Sequence, residues 1–114
     1  MKAQRSRQLL QLIEFELKNA GLWSLQAPSA QALASTAPFC CDSMPFEQWL
    51  QFVLLPRMHA LLDGGLPLPG QICICPMAEQ VFGCSDPTFW PLINRIADLD
   101  ELLSGRREQT VARD

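Results

Sequence analysis

The sequence predicts an all-α fold, a small four-helix bundle with a long N-terminal loop, a kinked central helix and one short third helix. Apolar residues recur at helical spacing in separate stretches, and glycine or proline stands where those stretches begin or end. The alternating segment QICIC at 71–75 has no second strand to pair with, so it is predicted to be an extended linker. With 114 residues, 48% of them hydrophobic, the chain forms one helical domain at 1–105 and a polar tail at 106–114.

The first helix is predicted over residues 4–20. Leu9, Ile13 and Leu17 recur at helical spacing, and Gly21 stands where the helix should end. No periodicity continues through the next twenty or so residues, where prolines bracket small and polar residues. Because long loops are uncommon in compact domains, we expect this loop to pack against the bundle. The side chains expected to make that contact are Trp23, Leu25 and Phe39.

The central helix is predicted over residues 46–62. Asp42 and Ser43 offer capping oxygens just before it, and its apolar residues cover nearly every face, which is typical of a helix surrounded by others. Pro56 removes one hydrogen bond inside the helix, so a kink is predicted over residues 52–56. A pair of glycines then ends the helix.

Two more helices follow an extended, proline-containing crossing at residues 66–75. Pro76 opens a short third helix, predicted over residues 77–82. The fourth helix is predicted to begin at Asp86 and Pro87, a capping residue followed by proline in the first turn. Its apolar stripe continues until a glycine stops it.

The charge distribution argues against tight nucleic-acid binding. The formal net charge is -3, and Arg57 is the only basic residue between Asn19 and Asn94. Tight binding depends on several clustered phosphate contacts, which one arginine cannot supply. The basic residues near the two ends of the chain form a modest positive patch if those ends meet in the fold, and otherwise only solubilise the termini.

The location is predicted to be cytoplasmic, with no membrane contact. Glu14 and Glu16 interrupt the apolar stretch near the N-terminus, where a secretory signal would need an unbroken apolar centre. No segment approaches the roughly 20 apolar residues that a membrane span requires.

Five cysteines are unusual for a chain of this length. Cys40, Cys41, Cys73 and Cys75 could supply four zinc ligands, with His59 in reserve, but adjacent cysteines rarely chelate one tetrahedral ion. We interpret the cysteines as packed, reduced thiols, and treat a metal site and redox or disulfide chemistry as the alternatives. No metal or other cofactor is expected.

No catalytic constellation is evident. The sequence contains no glycine-rich phosphate loop, dinucleotide fingerprint or paired zinc-histidine motif. His59, the single histidine, is interpreted as a surface or capping residue. Asp98, Asp100 and Glu101 are expected on the outer, solvated face of the fourth helix. The chain is therefore predicted not to be an enzyme, with no catalytic residue and no small-molecule substrate.

Arg57 stands alone among apolar neighbours in the central helix. One interpretation is an ion pair, buried or half-buried, with Asp42 or Glu79; the other is an anchor for an anionic ligand or a partner protein. Asp42 lies roughly 20 Å away along a straight helix, which makes Glu79 the better internal partner.

Five short motifs occur in a fixed order: Pro38-Phe39, Asp42-Ser43-Met44, Trp49-Leu50-Gln51-Phe52, Pro56-Arg57-Met58 and Leu66-Pro67-Leu68-Pro69. In this order and spacing, over nearly the whole chain, they resemble the YqcC-like family of small proteobacterial proteins. The resemblance implies a small helical bundle without an established biochemical function, whose members are often encoded beside a tRNA pseudouridine synthase. The cysteines depart from the family pattern, which weakens the metal and redox interpretations further.

Two classes of function stay open. The first is a non-enzymatic module for protein interaction, because aromatic residues flanked by arginine are typical of binding hot spots. The second is an accessory factor in tRNA modification that acts with a pseudouridine synthase and touches RNA or the enzyme through the basic ends. Salt-dependent RNA binding favours the second, and retention of a protein partner at high salt favours the first. The candidate interaction surface comprises Phe39, Asp42, Met44, Trp49, Arg57 and Met58.

Overall fold

The computed structural model describes residues 2–83 and 85–105, and the regular structure in these ranges is entirely helical. The predicted all-α fold is confirmed, while the predicted tail at 106–114 lies outside the described residues. Three-residue 3-10 turns precede the third and fifth helices, at Pro38–Cys40 and Pro87–Phe89. In chain order the α-helices are α1 (Lys2–Asn19), α2 (Ala30–Leu33), α3 (46–63), α4 (Cys75–Phe82) and α5 (Trp90–Ser104).

The core lies between α1 and α5, which pack against each other, with α3 on α1 and α4 on α5. The helical periodicity of the sequence accounts for this arrangement, since the buried positions recur every three or four residues. Leu54 and Ile93, both expected in the core, are buried. The fully buried aliphatic residues of the central pair are Leu9, Leu10, Ile13, Leu17, Leu92, Ile93, Ile96 and Leu99.

The middle of α3 is a π-helical turn at Leu50–Leu54, between α-helical segments at Phe46–Trp49 and Leu55–Asp63. The amide of Leu55 donates to the carbonyl of Leu50, five residues back. Pro56 follows directly, and because proline has no amide hydrogen and its ring crowds the preceding turn, regular α-helical bonding is disturbed there. At the position where a kink was predicted, over residues 52–56, the structure has a wider helical turn that begins two residues earlier, at Leu50–Leu54.

The predicted caps of α3 are wrong. Pro45 occupies the capping position and makes no side-chain cap. Asp42 instead accepts a hydrogen bond from the hydroxyl of Ser35, and the hydroxyl of Ser43 donates to the carbonyl of Ala32 at 2.8 Å. These short polar side chains therefore fold the preceding loop onto itself, which is an alternative use of the same hydrogen-bonding capacity.

The long loop is held to α3 by one buried amide. The Gln51 side chain accepts from the amide of Ser24 and donates to its carbonyl, both at 2.8 Å. Trp23 and Phe39 pack against the core as expected, whereas Leu25 is 97% exposed, so its predicted packing is wrong.

The start of the last helical segment is as predicted. The Asp86 carboxylate accepts from the amide of Thr88 at 3.0 Å, although the first turn is 3-10 and α5 itself begins at Trp90. Pro76 lies in the first turn of α4, where its missing amide hydrogen costs nothing. In the described part of the chain, no helix combines the length and apolar character needed to cross a bilayer.

Candidate functional site

A groove of about 290 Å³ opens between α3 and the extended segment at 69–74. We call it the α3 groove. It is lined by Phe39, by Trp49, Val53, Leu54, Arg57 and Met58 of α3, and by Pro69, Gln71, Ile72, Cys73 and Ile74.

Four of the six residues predicted for the interaction surface meet in the α3 groove: Phe39, Trp49, Arg57 and Met58. The structure does not bring the other two there. Met44 is buried and lines a neighbouring cavity of about 170 Å³, which also touches Phe39. Asp42 is exposed in the loop, engaged with Ser35.

The helix wall of the α3 groove follows from sequence spacing. Trp49, Val53 and Arg57 recur every four residues, so they lie on one face of α3. Trp49 and Val53 are half-buried, and Arg57 is exposed. The helix thus offers an apolar surface that ends at a positive charge.

The opposite wall was missed by sequence reasoning. In the extended segment, Ile72 and Ile74 point into the protein while Gln71 and Cys73 are exposed, the alternation that extended backbone produces. The alternating QICIC pattern indicates an extended segment with one buried face. It does not indicate that the segment lies against α3.

Asp100 on α5 fixes this wall in place. Its Oδ2 accepts hydrogen bonds from the amides of Ile74 and Cys75, both at 2.8 Å. These amides stand at the N-terminus of α4, where a carboxylate also interacts favourably with the helix dipole. Asp100 therefore ties the start of α4, and with it one end of the extended segment, to α5.

The prediction of a solvated acidic face on the last helix is wrong for Asp100, which is 1% exposed. Asp98 is half-buried and pairs with Arg95, while Glu101 is exposed. A signal was available, because Asp100 lies seven residues after the core residue Ile93 and therefore on the same helix face.

Burial raises the pKa of the Asp100 carboxyl above its ordinary value of 3.8, and the hydrogen bonds from the amides of Cys75 and Ile74 act in the opposite direction. Its second oxygen, Oδ1, is buried and accepts no hydrogen bond from the described residues. The carboxyl group is thus enclosed by the protein, in a structural rather than a solvent-facing position.

The backbone at Phe39 and Cys40 has φ values of 57° and 50°, in the left-handed region that side chains other than glycine rarely adopt. This conformation sets the Phe39 ring edge-on to Trp49, with ring centroids 4.9 Å apart and planes at 81°. Phe39 also meets Phe46 edge-on at 5.8 Å. Aromatic contacts of this geometry are favourable, and they hold Phe39 between the α3 groove and the neighbouring cavity.

Arg57 does not form the predicted internal ion pair. Its side chain is exposed, and within residues 2–83 and 85–105 it forms no salt bridge with Glu79, Asp42 or any other carboxylate. Solvent can hydrate the exposed guanidinium, so the fold does not need an internal partner for it.

The cysteines are only partly the packed thiols that were expected. Cys40 and Cys75 are buried, but Cys41 and Cys73 are exposed; none of these four is in a disulfide bond, and Cys84 lies outside the described residues. Among the residues that the structure describes, no three side chains of metal-binding type come together.

The two ends of the described chain do meet, because α1 packs on α5. Of the five described basic residues there, however, Arg7, Lys18 and Arg95 each pair with a carboxylate, at 3.0, 2.9 and 3.1 Å, which leaves Lys2 and Arg5 outside these pairs. The arginines of residues 106–114 lie outside the described part. The described ends therefore offer little of the clustered positive charge that nucleic acid requires.

Comparison with known proteins assigns this small all-α domain to a family. Residues 5–102 match the DUF446 family, described as tRNA pseudouridine synthase C, and the chain belongs to that family. It is similar to YqcC from Escherichia coli K12, an uncharacterized protein, with 36% identity over 100 residues that cover 88% of this chain and 92% of YqcC. The solution NMR structure of E. coli YqcC matches with a TM-score of 0.80 and 32% identity, covering 98% of this chain and 96% of that one. The predicted YqcC-like resemblance is confirmed.

Two further relatives are informative. An uncharacterized protein of Haemophilus influenzae is 40% identical over 76 residues, which cover 67% of this chain and 72% of the relative. A protein of Pectobacterium carotovorum named tRNA pseudouridine synthase C is 48% identical over 69 residues. Those 69 residues cover 60% of this chain but only 18% of the Pectobacterium protein.

Proposed function

We propose that this chain is a non-enzymatic, cytoplasmic protein-interaction module that docks a partner protein in the α3 groove. The observation that carries the proposal is the composition of the groove. It places half-buried aromatic and aliphatic side chains, including Trp49 and Val53, beside the exposed Arg57, which forms no ion pair with the residues that the structure describes. Tryptophan and arginine are enriched at the energetic centres of protein interfaces.

The groove is better suited to binding than to catalysis. Among its described lining residues the polar side chains are those of Arg57, Gln71 and Cys73. None of these is a carboxylate or histidine that would serve as a general base beside a nucleophile. An apolar surface with few polar groups instead provides contact area for a partner and orients it.

The test uses a substitution that fills the groove with charge. Tagged protein carrying Val53→Arg should lose a partner that the wild-type protein retains from extracts of its native host at high salt, as measured by quantitative mass spectrometry. Leu25→Arg is the matched control, because it adds the same side chain at a 97% exposed position that does not line the groove.

Thermal unfolding of both variants establishes that each is folded before binding is compared. A partner retained equally by the wild-type protein and the Val53→Arg variant would contradict docking in the α3 groove.

A second candidate function, an accessory role in tRNA modification with a pseudouridine synthase as the partner, is favoured by one comparison. The Pectobacterium protein of that name contains the matching segment within a much longer chain. Covalent linkage keeps the parts of one chain at high effective concentration. In this second candidate, the α3 groove contacts the synthase.

The probe for the second candidate is purified tRNA pseudouridine synthase C from the native host of this chain. It is mixed with this chain and analysed by size-exclusion chromatography. Co-elution that persists at high salt and is lost with Val53→Arg is expected. Binding of bare tRNA that disappears at high salt would instead indicate phosphate contacts at the chain ends. No co-elution at any salt concentration would exclude the synthase as a direct partner.

A further inference from the structure

We propose that the partner segment docked in the α3 groove is an apolar stretch that carries an aspartate or glutamate, whose carboxylate pairs with Arg57. This inference rests on the proposed function, and it names the chemistry of the partner. It follows from charge complementarity at the groove.

The α3 groove carries one unopposed positive charge. Arg57 is exposed and forms no ion pair with the described residues, and none of the described lining residues is acidic. In the sequence it is also the only basic residue between Asn19 and Asn94. A guanidinium can bind a carboxylate through two parallel hydrogen bonds, which fixes both its position and its orientation.

The surroundings of Arg57 strengthen such a pair once the groove is covered. Trp49 and Val53 on α3 and Ile72 on the opposite wall are half-buried. A segment that packs on them displaces water from the groove, and in the resulting drier environment the Coulomb attraction between the two charges is greater, which offsets the cost of removing them from water. The apolar walls provide contact area, and Arg57 selects a partner with the complementary charge.

The spacing of the groove residues constrains the partner further. Arg57 follows Trp49 by eight residues, a separation along α3 of at most about 12 Å at the 1.5 Å per residue of a regular α-helix, because the intervening π-helical turn at Leu50–Leu54 rises less per residue. An extended segment spans that distance in about four residues, and a helical segment spans it in about two turns. The carboxylate and the apolar side chain that meets Trp49 should therefore be separated by one of these two intervals.

Nucleic acid is a poorer match to the same features. Its binding depends on several phosphate contacts, and the α3 groove offers a single cation between apolar walls. Two copies of this chain that insert into each other's grooves are another possible occupant, and the oligomeric state in solution tests for them.

The experiment selects peptides from a phage-displayed library of random 16-residue sequences on four purified forms of the full chain. They are the wild-type protein and the variants Val53→Arg, Arg57→Glu and Arg5→Glu. Arg5→Glu is the matched control, because Arg5 is an exposed arginine on α1, outside the groove.

The wild-type protein and Arg5→Glu should enrich peptides that combine apolar residues with an aspartate or glutamate at the predicted interval. Arg57→Glu should enrich peptides with lysine or arginine at that position, and Val53→Arg should enrich neither set. Because Val53 is half-buried, Gln71→Arg serves as a second blocking variant at an exposed position of the groove.

A synthetic peptide from the wild-type selection gives the quantitative test by fluorescence polarisation. Changing its acidic residue to lysine should weaken binding to the wild-type protein about tenfold and restore binding to Arg57→Glu, as expected for one directional charge pair.

The outcomes separate the inference from the proposed function. Peptides blocked by Val53→Arg or Gln71→Arg, but without an acidic preference and insensitive to Arg57→Glu, would overturn the carboxylate inference and leave groove docking intact. The absence of any peptide sensitive to groove substitutions would overturn both. A wild-type dimer that Val53→Arg converts to a monomer would overturn the inference in favour of a second copy of the chain.

Discussion

Replacing Asp100 with alanine should destabilise the protein, because it removes the side chain that joins the start of α4 to α5. Two amides, those of Ile74 and Cys75, would lose their acceptor in a buried environment, since Asp100 is 1% exposed. The same substitution frees one end of the extended segment that forms a wall of the α3 groove.

The magnitude follows from the two lost acceptors. A buried donor left without a partner costs about 1–3 kcal/mol. Part of that cost is offset because alanine does not bear the desolvation that raises the pKa of the Asp100 carboxyl. We therefore expect a loss of about 2–4 kcal/mol in the free energy of unfolding, a large fraction of the stability of a small domain.

Urea unfolding, followed by tryptophan fluorescence and circular dichroism, measures this loss. For a domain of this size the expected loss lowers the urea midpoint by about 1–3 M. Asp98→Ala is the matched control on the same helix. Its carboxylate pairs with Arg95 at 3.1 Å in a half-buried position, so its loss should cost less stability than the loss of Asp100, which is 1% exposed.

An Asp100→Ala variant that unfolds at the wild-type urea midpoint with an unchanged slope would refute the assigned role of Asp100. Equal losses of unfolding free energy in Asp100→Ala and Asp98→Ala would also refute it, because the two buried hydrogen bonds of Asp100 would then add no stability beyond that of a half-buried ion pair. A larger loss for Asp100→Ala supports the buried tie between α4 and α5.

Other measurements test the remaining features. Because the pKa of Asp100 is raised in the folded state, the folded protein holds a proton there at pH values where the unfolded chain has lost it. The contribution of Asp100 to the free energy of unfolding should therefore decline as pH rises from 3.8 through the raised pKa. Urea titrations at several pH values measure this decline, and Asp100→Asn should remove it. Gln51→Ala should lower the free energy of unfolding by about 1–3 kcal/mol and speed hydrogen exchange at the Ser24 amide; an unchanged exchange rate would show that Gln51 does not hold the loop. Leu54→Ala and Ile93→Ala should each lower the free energy of unfolding by about 2–5 kcal/mol. Variants that unfold at the wild-type urea midpoint would show that the buried faces are misassigned. The purified protein should contain no stoichiometric zinc and melt at one temperature with or without chelator; about one zinc per chain by elemental analysis would contradict this.

Of the five described α-helices, α2 (Ala30–Leu33) lies in the stretch predicted to be a loop, and the other four were predictable because their physical causes are local. Apolar residues at helical spacing identify α1, the central helix and α5, and Pro76 and Asp86 mark helix starts through constraints that act within one turn. The disturbance before Pro56 was predictable for the same reason, since a missing amide hydrogen acts on its own helix.

Features that depend on distant partners were predicted less well. Asp100 looked like a solvated acid because its two hydrogen-bond donors, at Ile74 and Cys75, lie about 25 residues earlier in the chain. Asp42 and Ser43 have side chains that can cap a helix, but in the structure they form hydrogen bonds with Ser35 and Ala32 of the preceding loop instead. In both cases the residue type limits which hydrogen bonds the side chain can form, and the tertiary fold determines which partners are within reach.

The candidate site shows the same division. Its α3 wall was predictable from residues that recur every four positions, such as Trp49 and Arg57. The opposite wall, including Ile72, depends on how an extended segment lies across a helix, and one end of that segment is fixed by hydrogen bonds to the distant Asp100, which the segment's own sequence does not indicate.

The contrast between Asp100, Gln51 and Arg57 explains why an isolated charge in an apolar helix pointed to the wrong partner. A polar group taken out of water must find hydrogen bonds inside the protein, and Asp100 and Gln51 both do so. The sequence around Arg57 suggested the same requirement, but its guanidinium reaches solvent, where water satisfies it. If the proposed partner covers the groove and excludes water, that requirement would return, and a carboxylate supplied by the partner would meet it. Arg57, which has no ion pair among the described residues, would then select a partner of complementary charge.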